Sequence, residues 1–161
     1  DDPMFSERKI NALYHDKILY ISNNQDDSND ILDDIVHEYS HALEEEYNEV
    51  IYSDNSIKNE FLMKRQILER TLRHQGLDMS QYDFKEFNYN KSLDNLFLNV
   101  VGYEKFQSLT NYGLFINPYA ATSLREYFAT GFEEYMLGDH KELETISPKL
   151  YKKINNFTQT L

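Results

Sequence analysis

The spacing of hydrophobic residues changes from alternating to helical near the beginning of the chain. Two short runs of β-favouring residues, 11–14 and 18–21, are separated by three residues and predict a β-hairpin. A polar loop over residues 23–29 follows. After this loop, apolar residues recur every three or four positions, which predicts a helix that is capped by Asp30 and ends near Tyr47.

Helical spacing continues through much of the remaining chain. Residues 53–56 open a second helix that Gly76 ends, and shorter helical pieces are predicted at residues 93–101 and 103–109. Residues 111–121 contain one glycine and one proline, which predicts an irregular connection before the next helix.

Two further helices complete the prediction. One is capped by Thr122 or Ser123 and ends at Gly138, and the last covers residues 149–157. Six helices and one hairpin make an α+β fold that is predominantly helical. Because neither a low-complexity linker nor an internal repeat interrupts this pattern, residues 1–161 are predicted to form one domain.

The charge balance argues against several kinds of partner. The chain has 28 acidic and 16 basic residues, a formal net charge of −12. Because a chain this acidic repels phosphate groups, neither nucleic acid nor a membrane surface is an expected partner. No apolar run approaches the ~20 residues that a membrane-spanning helix needs. No signal peptide is recognisable at the start, and the sequence leaves the location of the protein open.

The lack of cysteine narrows the possible site chemistry. It excludes disulfide bonds, a thiolate nucleophile and every cysteine-ligated metal site. A transition-metal site in this chain must therefore be built from carboxylates and histidines. The sequence has five histidines: His15, His37, His41, His74 and His140.

One segment carries a recognisable chemical pattern. His37, Glu38 and His41 form an H-E-x-x-H motif on the first predicted helix. Residues four apart lie about one helical turn apart on the same face, so both imidazoles can reach one metal ion. The glutamate beside that ion can take a proton from bound water and return it to a leaving amine. Two surface histidines without a metal are the alternative, but the apolar face of this helix favours the metal site.

A catalytic zinc site generally uses three protein ligands, so a third side chain is needed. Glu60 follows His41 after 18 intervening residues, and Glu126 lies in the first turn of the helix that Ser123 caps. Each also has an explanation without metal. Glu60 can interact with the dipole of its own helix, and Glu126 completes a Ser-x-x-Glu capping box. The three glutamates at positions 44–46 are expected to form a solvated helix end rather than ligands.

The last third of the chain adds a resemblance to a known family. The run YAATSLREYFATGF, residues 119–132, resembles the catalytic domain of anthrax lethal factor and the related Pro-Pro endopeptidases, which are gluzincin metallopeptidases. In those proteins a tyrosine precedes the zinc-binding glutamate by seven positions, and that glutamate opens a Glu-aromatic-Phe-Ala-x-x-Phe helix. Tyr119 and Glu126 have this separation, and residues 126–132 follow the helix pattern. Residues 147–151 also resemble the final helix of the family.

The resemblance implies a zincin-like fold, in which a small β-sheet accompanies the H-E-x-x-H helix. It also implies that His37, His41 and Glu126 bind one Zn²⁺ ion. Glu38 would then be the general base. Tyr119 would donate a hydrogen bond to the oxyanion of the tetrahedral intermediate, a role that a phenol can fill without a net positive charge.

Two departures from the family pattern keep some alternatives open. The 84 residues between His41 and Glu126 exceed the family's short spacer and imply a helical insertion around residues 79–110. Thr130 also stands where relatives carry a second acidic residue that supports the site. Glu60 therefore remains an alternative third ligand.

Together these observations predict a zinc-dependent endopeptidase of the gluzincin type. Its acidic composition favours a basic or neutral polypeptide substrate, which would lie extended against an edge strand such as residues 18–21. The alternative is a non-catalytic protein-interaction module that keeps the fold and a structural zinc ion.

Overall fold

The computed structural model describes residues 11–22, 27–110 and 113–160. Within them the fold is α+β and mostly helical, as predicted, with one two-stranded antiparallel sheet. The predicted connections at residues 23–29 and 111–121 fall partly outside the described residues. Among the helices of the described chain, none combines the length and apolar character needed to cross a membrane.

The predicted hairpin is present. Strand β1 (Ala12–His15) pairs with strand β2 (Ile18–Ile21), and Tyr14 lies opposite Leu19. The two connecting residues, Asp16 and Lys17, have φ angles of 50° and 64°. Two successive positive φ angles are the type I′ geometry that matches the twist of paired strands.

The first helix is longer than predicted at both ends. Helix α1 covers Ser28–Tyr52, and its N-cap is Asp27 rather than Asp30, because the Asp27 carboxylate accepts from the backbone N–H groups of Asn29 and Asp30. The helix bends at Tyr47, where φ is −112° and ψ is 24°. Its last turn continues beyond this bend because Ile51 is fully buried in the core.

Helix α2 (Ser56–His74) agrees with the predicted second helix. Gly76 follows its end with a φ of 84°, a conformation that glycine adopts without strain. The expected helical insertion over residues 79–110 is helical only in its second part. That part consists of α3 (Lys91–Asn95), a π-helical turn (Leu96–Gly102) and α4 (Tyr103–Thr110).

The first part of the expected insertion forms turns instead of a helix. Asp78, Asp83 and Glu86 each accept a hydrogen bond from the backbone N–H two residues further on, at 2.8 to 2.9 Å. Such local side-chain contacts compete with the helical hydrogen-bond pattern, which explains why residues 79–90 are not helical.

Three helices follow a short 3₁₀ turn at Tyr119–Ala121. Helix α5 (Leu124–Leu137) begins as predicted, with Ser123 Oγ accepting from the Glu126 N–H at 3.1 Å. The sequence did not predict α6 (His140–Ile146), which is too short for a periodic hydrophobic pattern. Helix α7 (Pro148–Thr158) agrees with the predicted last helix.

The hydrophobic core lies where α1, α2, α5 and α7 meet. Its aromatic centre consists of Phe61, Phe115 and Tyr127, whose ring centroids lie 5.4 to 6.2 Å apart. Because such ring pairs contribute packing as well as buried area, they fix the segment before α5 against α2. The start of α5 is thereby held in a defined position.

Helices α5 and α7 approach closely at Gly131. A Cβ atom at this position would lie 2.3 Å from Cδ2 of Leu150 and 2.9 Å from its Cγ. We therefore expect Gly131→Ala to lower the free energy of unfolding by about 1–2 kcal/mol, because this overlap outweighs the gain in helix propensity.

Urea unfolding would measure this effect, and a second background provides the control. When Leu150→Ala removes the opposing side chain, Gly131→Ala should become neutral or stabilising. An equal loss in both backgrounds would contradict the proposed steric cause.

Candidate metal centre

Helices α1 and α5 bring three of the predicted ligands together. The Nε2 atom of His37 lies 3.0 Å from Oε2 of Glu126, and Nε2 of His41 lies 3.5 Å from the same oxygen. The two imidazole rings are nearly perpendicular, with centroids 5.1 Å apart. All three side chains are largely buried. Two imidazole nitrogens and one carboxylate oxygen thus converge, a donor set that suits Zn²⁺.

Glu38 belongs to the same cluster. Ligand atoms of His37, Glu38 and His41 all lie within 4.8 Å of one another. The Oε2 atom of Glu38 also accepts a hydrogen bond of 2.6 Å from the backbone N–H of Tyr14. Strand β1 therefore holds one oxygen of this carboxylate and leaves Oε1 as the oxygen through which Glu38 can exchange a proton.

Each histidine has a second carboxylate at the other side of its ring. Oε2 of Glu133 lies 3.1 Å from Nδ1 of His37, and Oε2 of Glu44 lies 3.7 Å from Nδ1 of His41. Carboxylates in these positions fix the ring orientation of metal-binding histidines and make them more basic. Neither Glu133 nor Glu44 was predicted from the sequence to orient a histidine.

The structure corrects the prediction for Glu44. Its side chain is only 12% exposed, so it is not part of a solvated helix end. The hydroxyl of Tyr52 donates to Oε1 of Glu44 at 2.6 Å. This contact exists because α1 continues beyond Tyr47, which the prediction placed at the helix end.

Glu133, and not residue 130, carries the carboxylate that contacts Nδ1 of His37. Thr130 is buried, and its Oγ1 has no hydrogen-bond partner within the described residues. Glu133 lies seven residues after Glu126, so both lie on one face of α5, two turns apart. This i, i+7 spacing is the sequence signal that could have identified Glu133.

Arg125 lies beside the ring of His41. Its Nε–H donates to Nδ1 of His41 at 3.0 Å. The Nε atom of Arg125 also lies 3.7 Å from Oε2 of Glu44. A histidine that binds metal through Nε2 carries its proton on Nδ1. Metal binding therefore requires Arg125 to transfer its hydrogen bond from His41 to Glu44, which lies within reach.

Charge holds this cluster together. Burial lowers the pKa of His37, but hydrogen bonds and the negative charges of Glu126 and Glu133 outweigh burial and raise it to about 10. Burial raises the pKa of Glu126, but its hydrogen bonds to both histidines outweigh burial and lower the pKa to about 2. The metal-free cluster thus pairs an ionised glutamate with protonated imidazole, whose proton a divalent cation would replace.

Tyr119 lies on the 3₁₀ turn at the edge of this cluster. Its ring centroid is 5.8 Å from that of His37. Desolvation of the phenol, together with the negative charges of Glu126 and Glu38, raises the pKa of Tyr119 above its ordinary value. A phenol is protonated at neutral pH even without this shift, so Tyr119 can act as a hydrogen-bond donor. About half of the residue is exposed.

A cavity of about 320 Å³ opens onto His37, Glu38 and Tyr119, whereas His41 and Glu126 do not line it. Strand β1, helix α1, the 3₁₀ turn and helix α5 each contribute to its wall. The lining residues are Asn11, Ala12, Asp33, Asp34, His37, Glu38, Tyr119 and Glu133. Half of them are carboxylates, so the cavity has a strongly negative wall. A second cavity of about 340 Å³, between the end of α1 and α7, contains none of these residues.

The structure places Glu60 away from the histidines. Its buried carboxylate accepts hydrogen bonds from the hydroxyl of Tyr127 and from the backbone N–H groups of Lys149 and Leu150, at 2.9 to 3.1 Å. Glu60 thus satisfies the first N–H groups of α7, as an N-cap would. Of the two candidate third ligands, Glu126 is the one that contacts the histidines.

Comparisons with protein-family models, curated proteins and solved structures found no match for the chain.

Substitution of the two glutamates should have different effects on metal binding. We expect Glu126→Gln to weaken the affinity for Zn²⁺ by more than about 100-fold. This exceeds the loss of affinity that is typical when a residue that only hydrogen-bonds to a metal ligand is replaced. Glu60→Gln should keep that affinity and lower the free energy of unfolding by about 2 kcal/mol, because it weakens hydrogen bonds to a charged acceptor. Competition with a chromophoric chelator measures the affinities. Loss of zinc in the Glu60 variant alone would reverse the ligand assignment.

The stability of the metal-free protein should decrease at alkaline pH. A histidine in an unfolded chain has a pKa of about 6.5, whereas folding raises the pKa of His37 to about 10. This difference stabilises the fold fully below pH 6.5, and the stabilisation is lost as the pH rises through 10.

Urea unfolding with a chelator present should show this decrease between pH 6.5 and 10. The slope should flatten in His37→Gln and persist in the control His74→Gln, which changes an exposed histidine on α2. Equal slopes in all three proteins would contradict the assignment of the proton to His37.

Proposed function

We propose that the protein is a zinc-dependent endopeptidase of the gluzincin type. The observation that carries this proposal is the convergence of His37, His41 and Glu126 beside a second carboxylate, Glu38. Zn²⁺ held by the first three side chains would supply a Lewis acid that polarises a carbonyl and acidifies a water molecule. The outer carboxylates Glu133 and Glu44 support this assignment, since they suit histidines that bind metal.

Glu38 is the general base in this proposal. Its Oε2 is held by the Tyr14 N–H, so Oε1 accepts the proton of the attacking water and later passes it to the leaving amine. The backbone N–H of Tyr14 keeps the carboxylate in one orientation during both transfers. Strand β1 thus both holds the proposed base and forms part of the cavity wall.

Tyr119 is the proposed donor to the oxyanion. Its phenol is protonated at neutral pH, so its O–H can stabilise the negative charge that develops on the carbonyl oxygen. The position of its ring next to His37 places it at the same cavity as Glu38. A neutral donor suits this place, because a second cation would compete with the metal for the carboxylates.

The geometry favours β1 over β2 as the strand along which a peptide lies. Asn11 and Ala12, which precede and begin β1, line the cavity, whereas no residue of β2 does. The N–H of Ser22 donates to the carbonyl of Asn11, so the next pair, Ala12 and Ile21, is not hydrogen-bonded within the sheet. The backbone groups of Ala12 therefore point away from β2, and since Ala12 lines the cavity, an extended peptide in the cavity could pair with them.

The negative wall of the cavity supports a basic or neutral polypeptide segment as substrate. Asp33, Asp34 and Glu133 line it in addition to Glu38. An acidic peptide would be repelled from a cavity with this charge, whereas lysine or arginine side chains would be attracted.

Replacement of the proposed base tests the enzymatic function. We expect Glu38→Gln to lower kcat/KM on a peptide library by about 10²–10⁴-fold, the usual contribution of a general base, while zinc content stays unchanged. The matched control Glu49→Gln removes the same charge at an exposed position of α1 and should keep full activity. If the wild-type protein binds zinc but cleaves no peptide or protein, the non-catalytic interaction module becomes the better hypothesis.

A further inference from the structure

Two adjacent cations of α2 are buried without a metal or catalytic role. Lys64 is 3% exposed and Arg65 is fully buried. Burial lowers the pKa of Lys64 to about 8 and that of Arg65 to about 10. Among the described residues neither forms an ion pair with a carboxylate, so both are costly to bury. Their contacts must explain why they are inside the protein.

Both side chains bind the main chain at the two ends of one segment. Nζ of Lys64 donates to the carbonyl oxygens of Leu114 and Ile146, each at 2.6 Å. Nη2 of Arg65 donates to the carbonyl oxygen of Thr122 at 2.8 Å. Residues 114–122 are therefore attached at both ends to neighbouring residues of α2.

Tyr119 lies within this segment and is connected to the Arg65 contact. Both the Oγ1 and the backbone N–H of Thr122 donate to the carbonyl of Tyr119, at 2.8 and 3.0 Å. The guanidinium of Arg65 is itself fixed between the rings of Phe61 and Phe97, at 5.0 and 5.5 Å from their centroids. A buried side chain of α2 thus holds, through Nη2, the carbonyl at the end of the turn that carries Tyr119. Its Nε and Nη1 atoms have no hydrogen-bond partner among the described residues.

The segment has little regular structure of its own. It consists of turns and the three-residue 3₁₀ helix, so its position depends on contacts with the rest of the protein. Ala120 and Ala121 are buried against the core, whereas Tyr119 faces the cavity. A change at either attachment would therefore displace the phenol more than the core.

We propose that Lys64 and Arg65 are positioning residues that hold Tyr119 at the cavity by fixing the two ends of residues 114–122. This inference rests on the proposed catalytic function of Tyr119. It assigns a mechanistic purpose to two buried cations that do not contact His37, His41 or Glu126.

A double-mutant cycle tests whether Lys64 acts through Tyr119. We expect Tyr119→Phe to lower kcat about 10²-fold, as removal of an oxyanion donor does. Lys64→Met should lower kcat about 10-fold through misplacement of the phenol, with KM and zinc content within about twofold of the wild type. In the Tyr119→Phe background, Lys64→Met should have no further effect on kcat. The same loss in both backgrounds, or no loss in either, would overturn the proposal.

Hydrogen exchange provides a second measurement that does not depend on activity. In Lys64→Met without metal, amides of residues 114–122 should exchange about 10-fold faster, while those of α5 keep their protection. The control Arg70→Met removes an exposed cation from the same helix and should leave both segments unchanged. Uniformly faster exchange would show a general loss of stability and contradict a positioning role.

The two measurements separate this inference from the proposed function. If Tyr119→Phe leaves kcat unchanged, the catalytic role of Tyr119 fails, and with it the mechanistic purpose assigned to Lys64 and Arg65. If Tyr119→Phe lowers kcat but exchange in residues 114–122 does not respond to Lys64→Met, the endopeptidase proposal stands and the positioning role is wrong.

Discussion

The contact of Glu126 with His37 and His41 joins helices α1 and α5, and the arrangement of the site depends on it. A buried carboxylate is unfavourable unless charged or hydrogen-bonding partners surround it, and here two imidazoles fill that need. Ser123 places Glu126 in the first turn of α5, where the helix dipole also favours a negative charge. The interaction that holds the helices together is thus also the one that would arrange ligands for a cation.

Carboxylates have two separate uses inside this acidic protein. Around the histidines, Glu126, Glu133 and Glu44 contact both sides of the two rings, which suits a cluster that exchanges a proton for a metal ion. Glu60 has the other use. It is surrounded by hydroxyl and backbone donors, and it completes the start of α7 instead of binding a cation. The identity of the donors, more than burial, distinguishes the two uses.

The part of the structure that follows from local patterns could be predicted from the sequence. The hairpin, the helix with the H-E-x-x-H motif and the Ser123 cap each depend on residues close together in the chain. Local patterns could not choose between Glu60 and Glu126, because both lie near the start of a helix and only tertiary packing separates them. The prediction for Glu44 was wrong for a similar reason. Its partner Tyr52 lies in the turn of α1 that follows the bend at Tyr47, where the hydrophobic pattern predicted the helix to end. The zincin-like fold itself remains a prediction.

The two-residue turn at Asp16 and Lys17 has a consequence for the proposed base. This turn determines which residues of β1 face β2, and side-chain and backbone directions alternate along a strand. A slip of one residue would direct the Tyr14 N–H towards β2 and remove it from Glu38. An isolated two-stranded sheet is only marginally stable, and this one packs against α1. If heating detaches the hairpin from α1 before the core melts, the proposed base loses its orientation, and the temperature limit of the proposed activity then lies below the melting temperature of the core.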